Sequence, residues 1–158
     1  MSQAPVRERI EKVQAHAPLG GIEQGGWTLA WSDSLPEMIK SAEEANDVQN
    51  EYFSIGIGVD RKSGLIKDVV PGSAAAKAGI APDMSLVAVN GRHWSSTVLR
   101  DAVRATKDGA PLELLVDNGE FFRTCRLDYR DGLRFPVLKR NASQPDLVGE
   151  ILRSHAVR

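Results

Sequence analysis

From residue 51 onward, glycine and proline turn signals divide this chain so finely that only short strands and one helix of several turns fit between them. Gly64, Pro71-Gly72, Gly79, Asn90-Gly91, Asp108-Gly109 and Asp117-Asn118-Gly119 follow in succession. The segments between them read as strands at Phe53 to Val59, Gly64 to Val70, Leu86 to Val89 and Leu112 to Val116. A returning strand follows, with Phe121, Cys125, Leu127 and Tyr129 on one face. Ser73 is placed to cap a very short helix, Ala74 to Ala78, which Gly79 stops. The wider gap after Gly91 holds a helix to about Lys107, capped by Ser95 or Ser96, with Leu99, Val103 and Thr106 on one face. The pattern is α+β: five to six antiparallel strands and two helices, closing into a partly open barrel or sandwich.

Before residue 51 the texture differs. Val6, Ile10, Val13 and Ala17 fall at helical spacing, so a helix is expected over 5–16. Trp27, Leu29 and Trp31 alternate with smaller residues, as in a half-buried strand. Ser34 and Glu37 have capping-box spacing around Pro36. The helix they open presents Met38, Ile39, Ala42 and Ala45, then decays into the polar stretch Asn46 to Asn50, which reads as a linker. A last helix is expected from Pro145 to Leu152. The expected division is 1–50 as a tail and linker, 51–130 as the domain, and 131–158 as an extension.

Composition closes off several function classes. Lys and Arg number 20 against 21 Asp and Glu, which gives no basic excess for nucleic acid. No apolar run approaches a membrane span, and the first residues lack the apolar stretch of a signal peptide. The single cysteine, Cys125, excludes an internal disulfide framework. His16, His93 and His155 are isolated, and no metal motif contains them, so surface or partly packed histidines are expected. No nucleophile motif of the G-x-S-x-G kind is present. Gly56-Ile57-Gly58 lacks the third glycine and the following helix of a dinucleotide loop. Arg123, Arg126, Arg130 and Arg134 with Phe121 and Phe122 fit a solvated strand edge better than a nucleic-acid surface.

Ile55-Gly56-Ile57 taken alone reads first as a strand with a glycine bulge. A glycine turn can also aim successive backbone N–H groups at one spot and so hold an anion. A side chain at Gly56 would crowd that spot and resist the φ/ψ the turn requires. The following edge could take an extended peptide as an added strand. What favours this second reading is the ordered context: Val69-Val70-Pro71-Gly72-Ser73-Ala74-Ala75-Ala76-Lys77-Ala78-Gly79-Ile80, then Leu86-Val87-Ala88-Val89-Asn90-Gly91, then the helix from Thr97.

That order resembles a PDZ domain of the bacterial, protease-associated kind, with Ala74 where proline is usual and Asp83-Met84 where gly-asp is usual. The resemblance implies a groove that binds a peptide or protein C-terminus through Ser54, Ile55, Gly56, Ile57, Gly58 and Val59. Val98, Ala102 and Ala105 of the helix would form the opposite wall, a shallow one suited to modest apolar side chains.

Trp27 to Asp33, Leu114 to Thr124, Arg126 to Tyr129 and Pro145-Asp146-Leu147 extend the likeness. Together they resemble the C-terminal region of the glycyl aminopeptidase family, thermolysin-like zinc metallopeptidases that end in a PDZ domain and a short helix. This implies a bacterial parent whose zinc motif and catalytic acid lie in a catalytic domain outside this sequence. It implies no catalytic residue, metal or cofactor here, and two partners: a peptide terminus and that catalytic domain. Nucleic acid and membrane are not implied, and cytoplasm and periplasm are equally compatible. The alternative is a structural docking module whose groove is filled by its own chain.

Overall fold

The computed structural model describes residues 20–152, which fall into two compact units. The helix expected over 5–16 lies outside the described residues. One unit takes in residues up to Ala30 and from Val137 onward. Its elements are α1 (Gly20–Gln24), β1 (Trp27–Ser32), the paired strand β9 (Phe135–Arg140) and α5 (Leu147–Leu152), with β1 and β9 running on into the second unit. The alternating Trp27 strand forms as its sequence suggests. The Trp27 indole donates to Asp146 Oδ1 at 2.9 Å, and the Arg140 guanidinium donates to the Gly26 carbonyl at 2.6 Å. Asp146 Oδ1 also accepts the Gly149 N–H, which starts α5 two residues later than expected.

The second unit, Trp31–Pro136, carries the apolar core. It opens with α2 (Glu37–Asn46), which begins after Pro36 with no side-chain cap; the expected Ser34–Glu37 capping box does not form. Asp47 closes α2 in the left-handed region at φ 53°. The polar stretch expected to be a linker then becomes β2 (Val48–Glu51). It is the first strand of an antiparallel sheet ordered β2-β3-β4, with β3 at Ile57–Asp60 and β4 at Ile66–Val69. The strand expected from Phe53 thus starts only at Ile57, because residues 52–56 form the turn that joins β2 to β3.

Helix α3 (Ala74–Lys77) is capped by Ser73 Oγ, which accepts the Ala76 N–H at 3.2 Å. A second antiparallel sheet, ordered β6-β5-β7-β8, comprises β5 (Ser85–Val89), β6 (Arg92–His93), β7 (Leu112–Asp117) and β8 (Phe122–Leu127). Asn90 and Gly91, both at positive φ, make the hairpin turn between β5 and β6. Helix α4 (Ser96–Ala105) is capped by Ser95, continues as a single 3₁₀ turn through Asp108, and is stopped by Gly109. The two antiparallel sheets are open and do not close into a barrel. The mixed helix-and-strand class is the one expected.

Ile55, Ile57, Val59 and Ile66 from the first sheet meet Leu86, Val89, Leu114 and Val116 from the second. Leu99, Val103 and Thr106 of the α4 region are fully buried against them, as their spacing predicts. Phe121, expected inside with Cys125 and Leu127, is 62% exposed. Asn118 Oδ1 accepts the Phe121 N–H, which holds that residue in the hairpin turn, short of the core-facing run.

Candidate strand-binding groove

Strand β3 and helix α4 are the two elements between which an added strand was expected, and a strand lies there. Strand β3 is hydrogen-bonded on both edges, to β4 on one side and to β2 on the other. The β2 register is antiparallel, with Val48 opposite Asp60, Gln49 opposite Val59, Asn50 opposite Gly58 and Glu51 opposite Ile57. Directly opposed residues share a sheet face. Gln49 and Glu51 therefore lie on the face of Ile57 and Val59, which points to the core. Both are 1% exposed.

The glycine turn faces the same strand. The N–H groups of Ser54, Ile55 and Gly56 all donate to one acceptor, the Glu51 carbonyl, at 3.2, 3.1 and 2.9 Å. Convergent N–H groups are thus present, as the sequence suggested, and they hold a backbone carbonyl of the same chain. Gly56 sits at φ +86°, and a Cβ there would lie 2.1 Å from the Ser73 Cβ. Glycine is required by that close approach and by the positive φ.

The remaining predicted loop residues take structural places. Ser54 Oγ accepts the Arg134 N–H at 3.1 Å. Ile55, Ile57 and Val59 are buried in the core. Gly58 underlies the Tyr52 ring, with a Cβ position 2.2 Å from the Tyr52 hydroxyl. That hydroxyl donates to Asp68 at 3.0 Å; partial burial and this carboxylate push the phenol up to about 12.

Helix α4 meets β2 through polar groups. Gln49 Nε2 donates to the Ser96 carbonyl at 3.1 Å and to Glu51 Oε1 at 2.9 Å. Arg100 Nε donates to Glu51 Oε1 at 2.9 Å. Its terminal nitrogens reach both oxygens of Glu43 on α2, at 2.6 and 3.3 Å. Glu43 in turn accepts the Asn50 N–H at 2.7 Å. Arg100 also lies 5.7 Å from the centre of the Phe135 ring. Val98, Ala102 and Ala105 lie roughly 140–160° around the helix from Arg100, at about 100° per residue. They are half-buried, and Val98 and Ala102 pack against the core.

One guanidinium therefore serves two buried carboxylates. Burial pushes the Glu51 carboxyl above the usual carboxylate range, while Arg100 and Gln49 pull against that rise. Burial works against the Arg100 charge, but its bonds to Glu43 and its two acidic neighbours outweigh burial and hold it protonated. Gln49 Oε1 and Glu51 Oε2, both buried, find no hydrogen-bond partner among the described residues.

Glu43, Gln49, Glu51 and Arg100 were not singled out by the sequence reading. The only local signal was the two-residue spacing of Gln49 and Glu51, which puts them on one face of a strand if a strand forms. Among the described residues, no group of three or more His, Cys, Asp and Glu side chains could hold a metal ion, and no helix is long and apolar enough to cross a membrane.

Comparison with known proteins gives one family match: the PDZ domain model matches residues 44–117. No curated protein sequence matches the chain. A solved structure with some likeness is the HtrA3 PDZ domain bound to a phage-derived ligand, FGRWV. It is 18% identical, with 82% of this chain and 99% of that chain covered, at a TM-score of 0.35.

Proposed function

We propose that this chain, whose residues 44–117 match the PDZ domain model, is a peptide-binding module of the strand-addition kind whose resident ligand is its own strand β2. PDZ domains take an extended peptide onto a sheet edge, where main-chain hydrogen bonds supply affinity. The observation that carries this reading is the state of that edge. Strand β2 pairs with β3 from Val48 to Glu51, and the three N–H groups of the turn converge on the Glu51 carbonyl. A free C-terminus entering through Ser54, Ile55 and Gly56 has to remove β2 first.

In this state the domain braces the segment that precedes it. Strand β2 ties α2 to the sheet, and Glu43 on α2 holds the Asn50 N–H of β2. Such a brace suits the C-terminal part of a zinc aminopeptidase of the family the sequence resembles, with the catalytic domain as the partner braced. An upstream reading frame encoding H-E-x-x-H would support that parent, and its absence would remove it.

The test is titration of the full chain with fluorescent peptides ending in a small apolar residue, each as the free acid and as the amide. Neither form is expected to bind at micromolar strength. Micromolar binding of the acid, weakened about tenfold by amidation through loss of a charge-assisted bond, would overturn the self-filled groove and establish capture of free C-termini through Ser54 to Val59.

A further inference from the structure

We infer that Arg100 makes this groove selective for an internal extended segment of pattern Gln-x-Glu, which β2 supplies in the resting chain and a second polypeptide can supply in its place. The inference rests on the self-filled groove proposed above and adds its chemistry.

Three features of the bound strand define what fits. The residue opposite Ile57 must offer a carboxylate to Arg100 Nε, as Glu51 does at 2.9 Å. The residue two positions earlier, opposite Val59, must donate to the Ser96 carbonyl, as the Gln49 amide does at 3.1 Å. The turn N–H groups take the carbonyl of the Glu position, and the chain runs on past it into Tyr52. The ligand is therefore an internal segment, and a terminal carboxylate is not needed. An apolar side chain opposite Ile57 would leave Arg100 with one carboxylate and bury part of its charge without that partner.

The resident strand is held so that it can be exchanged. Arg100 also holds both oxygens of Glu43, so vacating the groove leaves the guanidinium one carboxylate partner rather than none. Gln49 and Glu51 each leave a buried oxygen without a partner among the described residues, and an unmade buried bond lowers the net gain of holding β2. What favours β2 over a competitor is its tether, which gives it the effective concentration of an intramolecular ligand, on the order of millimolar. A segment in trans must overcome that advantage or meet a weakened β2.

The experiment uses the full chain and two probes: a fluorescent acetyl-Asp-Val-Gln-Asn-Glu-Tyr-amide peptide, copying residues 47–52, and the same peptide with alanine in place of glutamate. Glu51→Ala in the chain weakens the resident strand and leaves Arg100 open to the probe. This variant is expected to bind the glutamate probe about tenfold or more tightly than the alanine probe, the effect of one charge-assisted bond. Adding Arg100→Met is expected to erase that preference.

Equal binding of the two probes, or binding of neither by a folded Glu51→Ala chain, overturns the inference. Hydrogen exchange on the unaltered chain decides it independently of how the variants fold. A large excess of the glutamate probe should speed exchange at the Gln49 and Glu51 amides, and the alanine probe should not; no effect of either probe overturns the inference. Tight binding of an apolar peptide with a free C-terminus to the unaltered chain would instead overturn the self-filled groove.

Discussion

Replacing Arg100 by methionine keeps much of the side chain's aliphatic bulk and removes the charge that faces Glu43 and Glu51. Three charge-assisted bonds are lost, at 2.6, 2.9 and 3.3 Å, and both carboxylates are buried, Glu43 at 6% exposure and Glu51 at 1%. Removing one partner of a buried ion pair costs about 3–5 kcal/mol, because the charge left behind is uncompensated. The contact with Phe135 adds roughly 0.5–1 kcal/mol. Glu51, the more deeply buried of the two, can escape by binding a proton; from an ordinary carboxyl value of about 4.3, neutralising that one group at pH 7 costs about 4 kcal/mol. The two routes agree, so a loss of about 3–5 kcal/mol near neutral pH is expected.

The pH dependence follows from the same groups. Burial already raises the Glu51 carboxyl and the variant removes the Arg100 charge that opposes the rise, so the folded pKa of Glu51 lies above the unfolded one and the folded state gains stability as pH falls. The deficit should therefore shrink on going from about pH 7.5 to about pH 5, by up to roughly 1.4 kcal/mol per pH unit as Glu51 is protonated. Urea unfolding followed by tryptophan fluorescence at both pH values measures it, and Glu51→Gln on the same background should recover part of the loss. A deficit below about 1 kcal/mol that does not change with pH, the size of a surface pair, would refute the claim that this cluster clamps β2.

Two further perturbations test the turn and loop beside the groove. Gly56→Ala places a Cβ 2.1 Å from that of Ser73 at a φ of +86°, so a loss of about 2–5 kcal/mol is expected from the left-handed backbone and the overpacking together. Thermal melting checks this, and a loss under about 1 kcal/mol would contradict the packing described. Asp60 accepts the Ser63 and Lys62 N–H groups and the Ser63 hydroxyl, which pull its carboxyl down to about 2. Its folded pKa lies below the unfolded one, so its contribution is present above the ordinary carboxylate range and disappears as pH falls toward about 2. Asp60→Asn should flatten the acid limb of the stability profile over that interval, and an unchanged limb would show that the loop bonds do not persist in solution.

Much of the fold was legible because it is written in local chemistry. Ser73 and Ser95 cap the helices they precede, Asn90-Gly91 turns the hairpin, and Gly79 and Gly109 stop their helices at positive φ. Leu99, Val103 and Thr106 reach the core at the spacing that marked them. These features depend on a few neighbouring residues, so the order of residues along the chain was enough.

The groove was decided elsewhere. Asn46 to Asn50 has the composition of a linker, and in Val48-Gln49-Asn50-Glu51 only Val48 favours a strand by propensity. Strand β2 exists because β3 offers an edge and because Arg100, 49 residues along the chain from Glu51, accompanies that carboxylate into the interior. Helical periodicity identified the core face of α4. It could not say which flank would meet a strand, since that depends on how the helix lies across the sheet, and the flank that does so carries Ser96 and Arg100. The convergent N–H groups of the glycine turn were readable from Ile55-Gly56-Ile57. Their acceptor, the Glu51 carbonyl, was not, because an edge strand is recruited by long-range pairing and burial that no local pattern encodes.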